Sequence, residues 1–299
     1  MLNNSKILRD LIEKKSLVKV CGAYDAMSAK LVEMHGFDAV WAGSFAISAT
    51  HGVPDSSILT MTEFFDAAFD MVGICKIPVI ADCDTGYGGP DNVRRMVKKY
   101  ESAGVAAVCI EDKIFPKQNS LLKDGKNDLI SEREFAEKII AAKETKQNKD
   151  FMIIARVEAL ISGAGMDEAL KRATAYEQAG ADAILIHSKK ETPKEIFQFS
   201  DLWKGNLPIV IVPTTYGTVT NNELISHKIK IVIHANHTLR AAHAAMSRVL
   251  KEMINSNSLS EIKENISSME DIFELQYMYD NKSKEKVLEE KLKKLGNNN

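Results

Sequence analysis

Asp82 and Asp84 stand two residues apart where an apolar run, residues 77–81, gives out, and Glu111 closes the next such run, residues 105–110. At the end of a strand a spacing of two puts both side chains on the same side. A carboxylate from the adjacent strand can converge on them. Left unpaired and out of water, such carboxylates would each cost several kcal/mol. A hard divalent cation removes that cost, and oxygen donors with room for water suit Mg2+, with Mn2+ as the alternative. The competing reading is that Asp84 braces the turn Thr85-Gly86-Tyr87-Gly88-Gly89 and binds nothing.

Arg156 and His187 end two later apolar runs. A fixed guanidinium suits a carboxylate or phosphoryl oxygen. A lone histidine is often a satisfied structural group, so His187 gains weight only beside the others. Ala42, Gly43 and Ser44 could present backbone N–H groups to an anion, or could form a plain tight turn. Glu111 is followed by a long polar segment carrying Lys113, Lys117, Asn119 and Ser120. Long loops in compact domains tend to be functional, and this one reads as mobile and cation-bearing. Bound cation, arginine, histidine and loop lysine together point to a small polyanionic substrate.

The elements that must carry these residues follow one rhythm. Apolar runs fall at residues 17–23, 37–41, 77–81, 105–110, 151–155, 181–186, 207–212 and 229–233. Runs of this kind read as strands buried on both faces. Helical patterns fall between them at residues 26–35, 62–75, 90–103, 131–146, 167–179 and from 192, with another at 239–254. Pro90 opens its helix at a favoured position, Ser131 and Glu134 have capping-box spacing, and residues 48–57 read as loop. Strand then helix, repeated eightfold, predicts a (β/α)8 TIM-type barrel. The first turn lacks a glycine-rich dinucleotide fingerprint, which disfavours an open doubly wound sheet. In such barrels the strand ends named above share one rim.

Residues 1–255 are therefore expected to form the barrel and residues 256–299 a helical extension. Ser258 and Glu261 have capping-box spacing, and Leu259, Ile262, Ile266, Met269 and Leu275 recur at helical intervals. That stripe must be buried on the same subunit or on a partner. The chain has 299 residues, is 45% hydrophobic, and carries 39 basic against 41 acidic side chains for a net charge of −2. This argues against general attraction for nucleic acid. No apolar run approaches the roughly 20 residues of a membrane span, and the N-terminal residues lack an apolar stretch of signal-peptide type. The four cysteines have no paired metal spacing. Cys21, Cys83 and Cys109, in or next to strand-like runs, read as small buried hydrophobes, and a reducing cytoplasm is expected.

At this point a resemblance becomes specific. EDKIFPKQNS, with DCDTGYG before it and ARVEA and HSKK after it, resembles the phosphoenolpyruvate mutase branch of the isocitrate lyase superfamily. The likeness runs from about Tyr24 to Asn236 and beyond, and EDK followed after five residues by NS marks the mutases. It implies an isomerase that interconverts phosphoenolpyruvate and phosphonopyruvate for phosphonate biosynthesis, with Mg2+ and no redox cofactor. By that likeness Asp82, Asp84 and Glu111 would hold the metal. Arg156 would pair with phosphoryl or carboxylate oxygens, and His187 would steady the transferring group. Lys117, Asn119 and Ser120 would ride on a gating loop, and Asp55 would orient the phosphoryl group or receive it briefly. Trp41, Gly43, Ser44 and Phe45 would form the substrate cradle. There the family reads Trp-Gly-Ser-Gly-Leu where this chain reads Trp41-Ala42-Gly43-Ser44-Phe45, which leaves room for a changed substrate. The resemblance also implies a homo-oligomer, a dimer or a tetramer built from dimers, and the amphipathic tail suggests helix exchange between subunits.

Three rivals remain. Phosphonopyruvate hydrolase shares the fold and metal site but replaces the loop asparagine, so Asn119 favours the mutase. The carbon–carbon lyases carry a cysteine in the loop, where this chain reads PKQNS. A non-catalytic barrel used for binding or assembly is the third.

Overall fold

A computed structural model describes residues 3–258, 260 and 266–296. Its strands are β1 (Val18–Ala23), β2 (Ala39–Ala42), β3 (Val79–Asp82), β4 (Ala107–Glu111), β5 (Met152–Val157), β6 (Ala183–Ile186), β7 (Ile209–Ile211) and β8 (Ile229–His234). They close in sequence order into one parallel barrel, and β8 pairs with β1 from Val18↔Ile231 to Cys21↔His234. Helices lie between the strands, as the eightfold pattern requires.

The strands are apolar throughout because each face meets a different core. Val20, Trp41, Ile80, Cys109, Ile154, Leu185, Val210 and Ile231 fill the barrel interior. Their neighbours Cys21, Val40, Ala81, Val108, Ile153 and Ile184 pack in the larger cluster between strands and helices. Side chains alternate faces along a strand. Two positions beyond the interior residues Ile80, Cys109, Ile154 and Leu185 stand Asp82, Glu111, Arg156 and His187. The inward parity of the core thus carries these four polar groups onto one rim. At the barrel's seam Gly22 has no room for a side chain, since an added Cβ would lie 1.9 Å from the Ala235 carbonyl oxygen. Thr238 Oγ1 donates to the Gly22 carbonyl there at 2.7 Å.

Caps fix the helix starts. Asp25 accepts the Ser28 N–H at 2.7 Å. Ser131 Oγ accepts the Glu134 N–H at 3.2 Å, and Glu134 accepts the Ser131 N–H at 2.9 Å. Such caps contribute about 1 kcal/mol each. Three short helices break the expected pattern: Ser44–Thr50, Ala159–Ser162 and Asn221–Ser226. The first takes residues read as turn and loop, and the chain leaves it through Gly52, whose φ is +67°. Helices this brief contain too few turns for an apolar period to register.

The chain divides into two compact units, Met1–Arg240 and Ala241–Asn299. The helix His237–Asn255 begins in the first unit, and none of its residues is buried. In the second unit the helices Met269–Leu275 and Met278–Gly296 follow, the former capped by Ser268, which accepts the Asp271 N–H. Leu259, Glu261 and Ile262 lie outside the described residues. Among the described residues no helix is long and apolar enough to cross a membrane.

Candidate active site

At the C-terminal ends of the strands lies a cavity of about 440 Å3, within the range of small-molecule sites. Its wall includes Trp41, Gly43, Ser44, Phe45, Asp55, Asp82, Lys117, Asn119, Ser120, Arg156 and His187. One side is acidic. Asp82 Oδ2 accepts Ser44 Oγ at 3.0 Å and lies 3.4 Å from the Ser44 N–H at the start of a helix. Burial raises the Asp82 carboxyl above its ordinary value, against the pull of Arg156 and Lys117. Asp84 has a positive φ of 48°, and its carbonyl accepts the Glu111 N–H at 2.7 Å. Its Oδ1 lies 3.2 Å from Lys117 Nζ, so the carboxylate meets the loop lysine. Burial pushes the Asp84 carboxyl up to about 7, and Asp82, Asp55 and Glu111 add to the rise while Lys117 opposes it.

The loop after β4 reaches across to this acidic side. Lys117 Nζ pairs with Asp55 Oδ1 and Asp84, and Asn119 Nδ2 donates to Asp55 Oδ2 at 2.7 Å. The Lys117 N–H is held by Ser57 Oγ at 3.1 Å. Burial works against the Lys117 charge, but Asp84 and Asp55 outweigh it and hold the ammonium well above the usual lysine range.

Next to the acidic side stands a cluster built on Arg156. Arg156 Nε lies 3.2 Å from Glu111 Oε2 and bonds Glu158 Oε1. Arg156 Nη2 donates to Ser120 Oγ at 3.2 Å and lies 2.9 Å from His187 Nδ1, which is itself 2.8 Å from Glu158 Oε1. Nδ1 can serve one of these partners at a time, accepting from Arg156 or donating to Glu158. Burial lowers the His187 pKa from 6.5, so the imidazole is neutral near pH 7. Burial would raise the Glu158 carboxyl, but Arg156, His187 and Lys113 hold it well below the carboxylate range.

The model of the family described as phosphoenolpyruvate phosphomutase matches residues 8–254. The chain belongs to the phosphoenolpyruvate phosphomutase family. It is 44% identical over 269 residues to a phosphoenolpyruvate phosphomutase of Tetrahymena pyriformis, covering 90% of each chain. It is similar to the crystal structure of phosphoenolpyruvate phosphomutase from Streptomyces platensis subsp. rosaceus, with a TM-score of 0.93, 44% identity, and coverage of 95% of this chain and 99% of that one. A phosphonopyruvate hydrolase solved with oxalate and Mg++ superposes with a TM-score of 0.88 at 39% identity, covering 94% of this chain and 97% of the other. The chain is accordingly an enzyme of this mutase-type family.

Within that family frame the expected site residues divide by position. Those on the cavity wall are Trp41, Gly43, Ser44, Phe45, Asp55, Asp82, Lys117, Asn119, Ser120, Arg156 and His187; Asp84 and Glu111 are not among the lining residues. The expected metal set has the right chemistry. Its donors are all carboxylate oxygens; Glu111 Oε1 is buried without a hydrogen-bond partner, and Asp84 Oδ1 meets only the Lys117 ammonium, as an ion pair. Its geometry is less complete: among the described residues no three His, Cys, Asp or Glu side chains are arranged to hold an ion. Lys117 and Arg156 supply the positive charge beside Asp84 and Glu111.

Sequence reasoning assigned no specific role to the strand-end carboxylates Glu158 and Asp112, and read Lys113 only as one cation of the polar loop. Lys113 is buried, donating to Ser120 Oγ at 2.6 Å and to the Gln118 carbonyl at 2.8 Å, with Glu158 Oε2 at 3.7 Å. Ser120 Oγ donates in turn to Glu158 Oε2 at 2.8 Å. The available signal was the spacing of Glu158, two beyond Arg156. Thr214 and Asn236 also line the cavity.

Proposed function

We propose that this enzyme interconverts phosphoenolpyruvate and phosphonopyruvate. The observation that carries the reading is the meeting of Lys117 and Asn119 on Asp55, in one small cavity that Arg156, Ser120 and His187 also line. Phosphoryl transfer passes through a loose, metaphosphate-like state, so a protein mainly has to position and neutralise. Starting from phosphonopyruvate, the P–C bond breaks, its electrons stay on pyruvate as the enolate, and the enolate oxygen forms the new P–O bond of phosphoenolpyruvate. No redox change and no water is involved. Arg156 and Lys117 bind the anionic oxygens, Asn119 donates to the moving phosphoryl group, and Asp55 orients it or holds it briefly. The Ser44 N–H and its neighbours face the enolate side. Asp82, Asp84 and Glu111 would hold Mg2+, which when bound supplies positive charge to the enolate and carboxylate oxygens. The similar hydrolase, solved with oxalate and Mg++, supports that assignment. The loop would open for exchange and close to exclude water.

Hydrolysis of phosphonopyruvate is the second reading, favoured by the likeness to the hydrolase; Asn119, which the hydrolase is expected to lack, argues against it. Phosphorus NMR of phosphonopyruvate with enzyme and Mg2+ separates them. The mutase yields a phosphoenolpyruvate signal. Phosphate alone establishes the hydrolase, and an unchanged spectrum refutes both.

The same reading includes a homo-oligomer, dimer or tetramer, in a reducing cytoplasm. The second unit exposes Met246, Leu250, Met253 and Ile254 on one helix, and all four cysteines are buried and unpaired. Light scattering after size exclusion tests the first point, and a monomer at micromolar concentration would refute it.

A further inference from the structure

The loop that covers the cavity leaves the barrel through a narrow neck. The Ile130 N–H donates to the Asp112 carbonyl at 3.0 Å, the Ile114 N–H donates to the Asp128 carbonyl at 2.9 Å, and Lys113 and Leu129 form an antiparallel bridge. Residues 112–114 and 128–130 are thus the two roots of the loop, paired with each other. Arg172 stands on the helix Met166–Gln178 and does not line the cavity. Its Nη1 donates to Asp112 Oδ2 at 3.0 Å and to the Ile130 carbonyl at 3.0 Å. One guanidinium nitrogen therefore grips both roots. Glu168, one turn earlier, accepts Arg172 Nε at 2.7 Å, and Tyr176, one turn later, donates to Asp112 Oδ2 at 2.7 Å. The other oxygen of Asp112 accepts the Glu158 N–H at 2.9 Å. Glu158 is the residue that holds Arg156, His187 and Ser120.

We infer that Arg172 is a positioning residue that clamps the neck of the loop, keeping its tip over the cavity and keeping water from the phosphoryl group. The inference rests on the mutase reading for its chemical consequence, though not for its structural one. A hydrogen-bonded charge shared between two roots fixes their separation, which neither root does alone. If the neck loosens, water replaces the enolate oxygen as acceptor. The P–C bond then breaks, a P–O bond forms to water, and one water proton ends on the pyruvate carbon, giving pyruvate and phosphate.

Two measurements on full-length Arg172→Met test this. Amide exchange across residues 113–129 should speed about tenfold while exchange in the barrel strands stays unchanged, the loss expected for a charged hydrogen bond. In phosphorus NMR with phosphonopyruvate and Mg2+, the ratio of phosphate to phosphoenolpyruvate should rise by about the same factor. A purely structural residue would lower the rate without moving that ratio. Folded Arg172→Met with wild-type loop exchange and a wild-type ratio overturns the clamp. Should Arg172→Met not fold, Arg172→Lys decides on the same two readouts, because an ammonium does not reproduce a planar fork; wild-type values there also overturn it. If the wild-type enzyme forms no phosphoenolpyruvate, the mutase reading fails, and loop exchange alone judges the clamp.

Discussion

Lys117, on the loop after β4, lies between Asp55 and Asp84, pairing with the first and standing 3.2 Å from the second. All three side chains are nearly inaccessible to water. The ammonium is therefore the counter-charge of two carboxylates that approach from different parts of the chain. Because it rides on the loop, the position of the loop sets the charge balance in the site.

Replacing Lys117 by Met should cost more in activity than in folding. Breaking a buried ion pair typically costs about 3–5 kcal/mol; here Asp84, with its carboxyl already near 7, can take a proton and offset part of that. We expect urea unfolding to shift by about 1–2 kcal/mol, less than for an unrelieved buried charge, while kcat falls at least about a hundredfold. Retained kcat would remove Lys117 from the machinery.

Asn119→Ala leaves Asp55 Oδ2 without its amide donor. The expected result is a fall in kcat of about a hundredfold with KM changed by less than about threefold, the signature of an interaction made chiefly in the transition state. A rise in KM alone would assign Asn119 to ground-state binding.

Removal of divalent ions by a chelator should abolish turnover, and Mg2+ or Mn2+ should restore it. Asp82→Asn should raise the Mg2+ concentration for half-maximal activity by at least about tenfold. Mg2+ should also raise Tm, since a ligand of the folded state stabilises it. Full turnover in chelator would end the metal assignment.

Far from the cavity, Asp182 gives a pH signature. Burial alone would raise its carboxyl, but the hydrogen bond from Arg9, the Ile153 N–H, Lys146 and Lys143 hold it below the ordinary 3.8. A carboxylate depressed in the folded state contributes stability above its unfolded value, and that stability is lost as pH falls through the folded one. Asp182→Asn should therefore cost about 2 kcal/mol at pH 7. The gap to wild type should narrow as the pH drops below 3.8. A gap independent of pH would show that packing, not charge, is lost.

The barrel was legible because its strands are apolar on both faces, and the inward rim residues because each ends such a run two positions past a core residue. Asp82, Glu111, Arg156 and His187 announce themselves in this way. Asp112 does not: as the neighbour of Glu111 it faces the opposite side, toward Arg172 and Tyr176. Arg172 itself, inside an amphipathic helix, looks like one more solvated charge. Its partners are sixty residues away along the chain for Asp112 and forty-two for Ile130, a distance over which local pattern carries no information. The short helix Ser44–Thr50, which aims Ser44 at Asp82, was hidden because its residues read equally well as a turn.

The missing side chain at Gly22 has a consequence for biosynthesis. The barrel's first strand meets Ala235 so closely that only hydrogen fits between them, and Ala235 and Asn236 are also wall residues of the cavity. A nascent polypeptide that has already made Trp41, Asp82 and Arg156 still has an open cylinder with one side of its pocket absent. The active enzyme comes into being only after the ribosome has passed Asn236 and the last stave has slotted against the first.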